Sequence, residues 1–142
     1  MASHTSRVHG QPLLWGRALL YGLLTEAILT AIFVAGLAGG MAADGATLIA
    51  LVGSFVLPLL FATILGRRLQ ARFVLHGVLI GAAAFAIFMM MSVMGRLFQP
   101  DAPPQPVAYW VAHAFKFVGG GLGGGIARRS SKRRQAVSEA RL

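Results

Sequence analysis

Glu26 and Lys116 are the residues of this 142-residue chain whose charges lie deepest in apolar sequence. Each stands inside a run long enough to cross a bilayer, where an unpaired charge is costly and side chains pair or line water. Counted from the arginines that begin the first run (Arg17) and end the last (Arg128), they lie nine and twelve residues deep. At 1.5 Å per residue those depths are about 13 and about 18 Å, a difference that a lysine side chain can cover. Two chemistries are open to such a pair. One is a structural ion pair that fixes helix register, with a neutral Glu26 bonded to Thr30 or a backbone carbonyl as its variant. The other is a proton-titrating site in a small transporter, where burial and a neighbouring ammonium act on the carboxyl in opposite senses. The structural reading is preferred, because a single pair more often orders a bundle than moves a substrate.

His113 precedes Lys116 by three residues and so occupies a neighbouring face of the same helix. His76 lies near the inner end of its own run. The two histidines are about 6 and about 22 Å from the inner face by the same rise. Ligands of one metal or haem iron cannot be separated axially by about 16 Å, since His–metal bonds are near 2 Å. No metal and no cofactor is expected. An interfacial His76 and a His113–Lys116 polar strip are the expected roles.

The elements that must hold these residues follow from the composition. Hydrophobic residues make up 56% of the chain and charged ones only 12%, against roughly a quarter charged in soluble domains. A bilayer core of about 30 Å needs about 20 apolar residues. Residues 18–40, 46–66, 73–95 and 107–127 each qualify, joined by connections short enough to make consecutive helices antiparallel neighbours. Trp15, Tyr21, Tyr109 and Trp110 fall at or near the ends, where amphipathic rings favour the interface. Arg7, Arg17, Arg67, Arg68, Arg72, Arg128, Arg129, Lys132, Arg133, Arg134 and Arg141 flank one side, and Arg96 alone flanks the other. That asymmetry puts both termini inside. The expected layout is a cytoplasmic segment 1–17, a membrane domain 18–127 and a basic cytoplasmic tail 128–142, in a bacterial inner membrane. A cleaved signal peptide cut near Gly39–Ala43 is the rival. Its apolar run exceeds the usual h-region of about 7–15 residues, and Glu26 interrupts it.

The first and third runs match each other. Arg17–Phe33 reads RALLYGLLTEAILTAIF and Arg72–Phe88 reads RFVLHGVLIGAAAFAIF, with eight identities in seventeen ungapped positions. They are Arg17/Arg72, Leu20/Leu75, Gly22/Gly77, Leu24/Leu79, Ala27/Ala82, Ala31/Ala86, Ile32/Ile87 and Phe33/Phe88. The small alphabet of lipid-facing sequence supplies about two or three matches without common origin. Both copies enter from the inside, so the repeat is parallel, with an axis along the membrane normal. The predicted fold is an all-α membrane protein, a four-transmembrane-helix bundle of two tandem helical hairpins in pseudo-twofold repeat. Gly81, aligned with Glu26, would then leave room opposite the carboxylate.

The fourth run ends in VGGGLGGGIARR. Gly119, Gly120, Gly121, Gly123, Gly124 and Gly125 offer overlapping small-x-x-x-small pairs that let backbones approach closely. So much glycine leaves the helix open at all angles, toward its own bundle and toward a partner. The alternative is a local break, since glycine costs about 1 kcal/mol relative to alanine in a helix. Gly77 and Gly81 form a similar pair. Pro58 should kink the second helix after Ser54. Arg128, Arg129, Lys132, Arg133 and Arg134 follow the last span directly, and each is expected to contribute about 1 kcal/mol of attraction to anionic lipid headgroups. Placed there, they do not point to nucleic acid.

The stretch YGLLTEAILT is superficially similar to the first helix of the small multidrug-resistance transporters. The similarity covers one helix. Those proteins lack a firm charge asymmetry and tandem hairpins, and this chain has both. Fluoride channels of similar size carry Asn-rich and Thr/Ser-rich motifs that are missing here. No family is identified. There is no nucleophile–base–orienter set, no paired carboxylates and no phosphate-cradling loop, so catalysis is not expected. The expected role is a non-catalytic bundle that self-associates or serves in a larger membrane complex; the alternative is a small proton-coupled transporter or channel using Glu26 and Lys116.

Overall fold

The computed structural model describes residues 13–69, 71–101, 104–105 and 107–140. Arg7, Arg141, most of the N-terminal segment and part of the 99–106 connection lie outside them. The described residues form four helices: α1 (Trp15–Ala38), α2 (Ala43–Gly66), α3 (Phe73–Phe98) and α4 (Val107–Glu139). By length and composition, α1, α2 from Asp44, and α3 can each cross a membrane. The fourth helix is less clearly apolar, because glycines, His113 and Lys116 take the places of aliphatic side chains. Its 33 residues make about 50 Å at 1.5 Å per residue, more than a bilayer core of about 30 Å. The basic residues 128–134 therefore continue the helix and do not form a separate coil. Nor do the glycines break it.

Contacts fix the helix directions. Leu14, preceding α1, bonds His76 of α3, and Gly22 lies against Ala83 and Ala84, so α1 and α3 run parallel. Gly119 and Gly123 of α4 face Phe55 and Leu59 of α2, and Ala127 faces Gly66, so these two are parallel as well. Gly120 and Gly124 face Gly77 and Phe73, which makes α3 and α4 antiparallel. Gly53 of α2 meets Leu29, and Tyr21 stacks on Phe61 with centroids 5.2 Å apart, so α1 and α2 are antiparallel. The chain thus alternates direction, as its short connections require.

Small residues set how close the helices come. Ala46, Ala50, Ser54, Pro58, Ala62 and Gly66 are all buried and recur every four residues along α2. That row is one ridge of the helix surface. On α4 the buried row is Ala112, His113, Lys116, Gly119, Gly120, Gly123, Gly124 and Ala127. Two glycine stripes run along it, Gly119/Gly123 toward α2 and Gly120/Gly124 toward α3. At all four positions a Cβ would collide with backbone atoms of the neighbouring helix. Gly121 and Gly125 lie outside both stripes; a Cβ on Gly125 would meet nothing within 4 Å. Thr63 donates from Oγ1 to its own Leu59 carbonyl at 2.8 Å and, at 3.4 Å, toward the Gly123 carbonyl. Pro58 is accommodated inside a continuous α2. The Ser54 hydroxyl, one turn before it, is fully buried without a hydrogen-bond partner.

The match between the first and third runs in sequence is not repeated in the packing of their glycines. Gly22 lies against α3, whereas its counterpart Gly77 lies against α4. The α1–α4 pair, which a strict twofold would match to α2–α3, leaves a gap: no Cα of α1 lies within 8 Å of a Cα of α4, while α2 and α3 approach that closely.

Candidate functional site: a buried ion pair beneath a polar cleft

The face of α1 that turns inward carries Ala18, Gly22, Thr25, Glu26 and Leu29. Thr25 bonds its own helix, Oγ1 to the Tyr21 carbonyl at 2.9 Å, so it needs no other partner. Glu26 makes its bond away from its own helix, across the gap. Lys116 Nζ donates to Glu26 Oε1. With the two helices this far apart, only long side chains can close the distance, and a lysine on a four-carbon stem is one of the few that do. Lys116 is 0% exposed and Glu26 3%, which makes this a buried ion pair. The Lys116 ammonium also stands 5.3 Å from the centroid of the Phe88 ring, close enough for attraction by the ring face.

Gly81 has a different part from the one expected of it. A Cβ there would meet the Lys116 carbonyl and Phe117 of α4, not Glu26. Its missing side chain lets α4 press against α3 at the level of Lys116. Thr30 is exposed, and the partner of Glu26 is Lys116.

His113 lies one turn from Lys116 toward the α3–α4 connection. Its ring stacks on Phe88 at 3.4 Å between centroids and 11° between planes, and Tyr109 meets it edge-on at 4.8 Å. It is 3% exposed, and neither ring nitrogen has a hydrogen-bond partner. His76 is the opposite case. Its Nδ1 lies 2.9 Å from the Arg72 carbonyl and its Nε2 accepts the Leu14 N–H at 3.1 Å. A ring carrying its proton on Nδ1 satisfies both. Arg72 turns the chain into α3 at φ 56°, and its carbonyl takes the backbone N–H of His76 as well. His76 is therefore a structural link between the start of α1 and the first turn of α3. Among the described residues no cluster of three or more His, Asp or Glu could hold a metal ion.

Beyond the ion pair, the gap between α1 and α4 opens into a cleft of about 340 Å³. Glu26, Leu29, Thr30 and Phe33, all on one face of α1, form one wall. Phe88, Met91, Ser92 and Arg96 of α3 form another, with Tyr109 and His113 of α4 between them. Gln99 and Gln105 border the end nearest the α3–α4 connection. Phe33 and Phe88, an identical pair where the first and third runs are aligned, both line it. Sequence reasoning singled out Glu26, Thr30, Lys116 and His113 by polarity and depth. It missed Phe88 and Tyr109, which carry no charge signal, and Ser92 and Gln105, which look like ordinary helix-end residues. Of the tail residues, Arg128 and Lys132 share a cleft with Arg72, and Arg134 shares another with Arg67. Arg129 and Arg133 are exposed.

No family model, curated protein or solved structure matches the chain.

Proposed function

We propose that this chain is a four-span integral membrane protein of a bacterial inner membrane, both termini cytoplasmic, acting as a non-catalytic subunit that assembles with a second copy or a membrane-protein partner. The observation carrying this is the division of labour among the α4 glycines. Two stripes are used within the bundle; of the remaining two glycines, a Cβ on Gly121 would touch only Val78 and one on Gly125 nothing within 4 Å, and they lie beside Val118, Leu122 and Ile126, which are 49%, 51% and 45% exposed. A small-x-x-x-small surface flanked by aliphatic side chains is the kind that associates in lipid through close backbone approach. Arg128, Arg129, Lys132, Arg133 and Arg134 would rest among anionic headgroups at the inner surface. The paired hairpins are read as a tandem duplication that has since diverged in packing. The chain has no cysteine, so a single Gly125→Cys variant can be cross-linked in native membranes without background. A disulfide-linked dimer, or a mixed adduct of larger mass, is expected. A product that stays monomeric, together with a monomeric wild type on native gels, would refute the assembly reading.

The cleft favours a second reading, a small proton-coupled transporter or channel in which Glu26 and Lys116, with His113, form the working site. Proton-coupled uptake into proteoliposomes that survives Glu26→Gln unchanged would remove it.

A further inference from the structure

The cleft above the ion pair has a lining that lipid cannot satisfy. His113 is almost fully buried, borders the cleft, and has two ring nitrogens with no partner in the protein. Gln105 Oε1 borders it too and is equally unpaired. Thr30 and Ser92 add hydroxyls from α1 and α3, and the Glu26 carboxylate stands at the floor. An acyl chain filling the space would leave these groups without hydrogen bonds in a medium that supplies none. Water satisfies donors and acceptors alike, which a histidine ring with one of each requires. A volume of about 340 Å³ has room for several waters, each with two to four polar neighbours within reach.

The path is blocked one turn further in. Thr25, Ile80 and Ala84 are each 0% exposed. Gly22 lies against Ala83 and Ala84, and Gly81 against the Lys116 backbone, so helix backbones replace free space there. We infer that the cleft is a hydrated vestibule, a binding site for a short chain of water molecules that reaches the Glu26–Lys116 pair from the α3–α4 connection and ends there. Glu26 is then in contact with one aqueous phase only. The inference rests on the four-span reading, which puts that connection on the outer face.

Single cysteines in the cysteine-free chain test it. Thr30→Cys sits in the cleft and Ala31→Cys at the same depth on an exposed face of α1 outside it. Phe33→Cys, one turn outward, is a second probe should Thr30→Cys misfold. Cells are treated with membrane-impermeant methanethiosulfonates of either charge, and residual thiol is then counted with a maleimide under denaturing conditions. The reacting species is the thiolate, which forms in water and not in hydrocarbon, so Thr30→Cys should react at least about tenfold faster than Ala31→Cys. Equal, slow reaction at both positions while Gln99→Cys reacts promptly would overturn the vestibule and leave the spans intact. If instead Gln99→Cys reacts only after permeabilisation and Val137→Cys reacts without it, the orientation is wrong. The same Thr30/Ala31 contrast in permeabilised cells then still decides whether the cleft is wet.

Discussion

Glu26 and Lys116 pair across a gap that their helices do not close, and their surroundings differ. Lys116 is fully buried with a carboxylate and an aromatic face as its neighbours, whereas Glu26 borders the cleft. Removing one partner of a buried pair costs about 3–5 kcal/mol because the other is left uncompensated. The cost should therefore be unequal. Glu26→Gln, which strands the ammonium, should lower the thermal midpoint in detergent more than Lys116→Met, which leaves a carboxylate that water in the cleft can solvate. The double variant should recover most of the loss. A larger drop for Lys116→Met would mean that Glu26 is the more isolated of the two. That these residues come within a lysine side chain's reach of each other was legible in the sequence, since their depths follow from residue counts and helix rise. The ring stack of His113 on Phe88 was not, because it depends on how α3 and α4 are rotated, and spacing within one helix does not encode that.

The helices hold together through absent side chains. Gly119, Gly120, Gly123 and Gly124 each face backbone of a neighbouring helix, and Gly125 faces open space. Adding a methyl to a fully packed contact forces backbones apart and costs about 1–3 kcal/mol. Gly123→Ala should lower the unfolding free energy by that amount, read as a lower unfolding midpoint. Gly125→Ala has no such clash and should gain up to about 1 kcal/mol from helix propensity. Equal effects at both positions would show that the stripes are not distinguished. A leucine at Gly120 or Gly124 would report on folding of the bundle, so assembly is better probed at Gly125. The run of glycines announced close packing from sequence alone. Which stripe serves which neighbour was hidden, because six small residues in seven leave no apolar face to assign. His76 was likewise read as an interfacial residue; its link to Leu14 joins segments 62 positions apart, and no local pattern announces it.

As a whole, the molecule places its most polar helix among three apolar ones. Hydropathy identifies α1, α2 and α3 readily because their lipid-facing sides are aliphatic. It is less decisive for α4, whose buried row holds glycines, His113 and Lys116, so that its polarity points into the bundle. Under the proposed topology the charge asymmetry argues for a fourth crossing, since the arginines flanking both ends of the bundle share one side only if α4 crosses. The exposed strip Val111, Phe115, Val118, Leu122 and Ile126 along α4 fits a helix with one side in lipid. Paired reporter fusions test this directly. Green fluorescent protein and alkaline phosphatase joined after Gln99 should give phosphatase activity without fluorescence, and joined after Val137 fluorescence without phosphatase activity. Phosphatase activity after both positions would mean that α4 does not cross, and the four-span bundle with its ion pair inside the membrane would have to be abandoned.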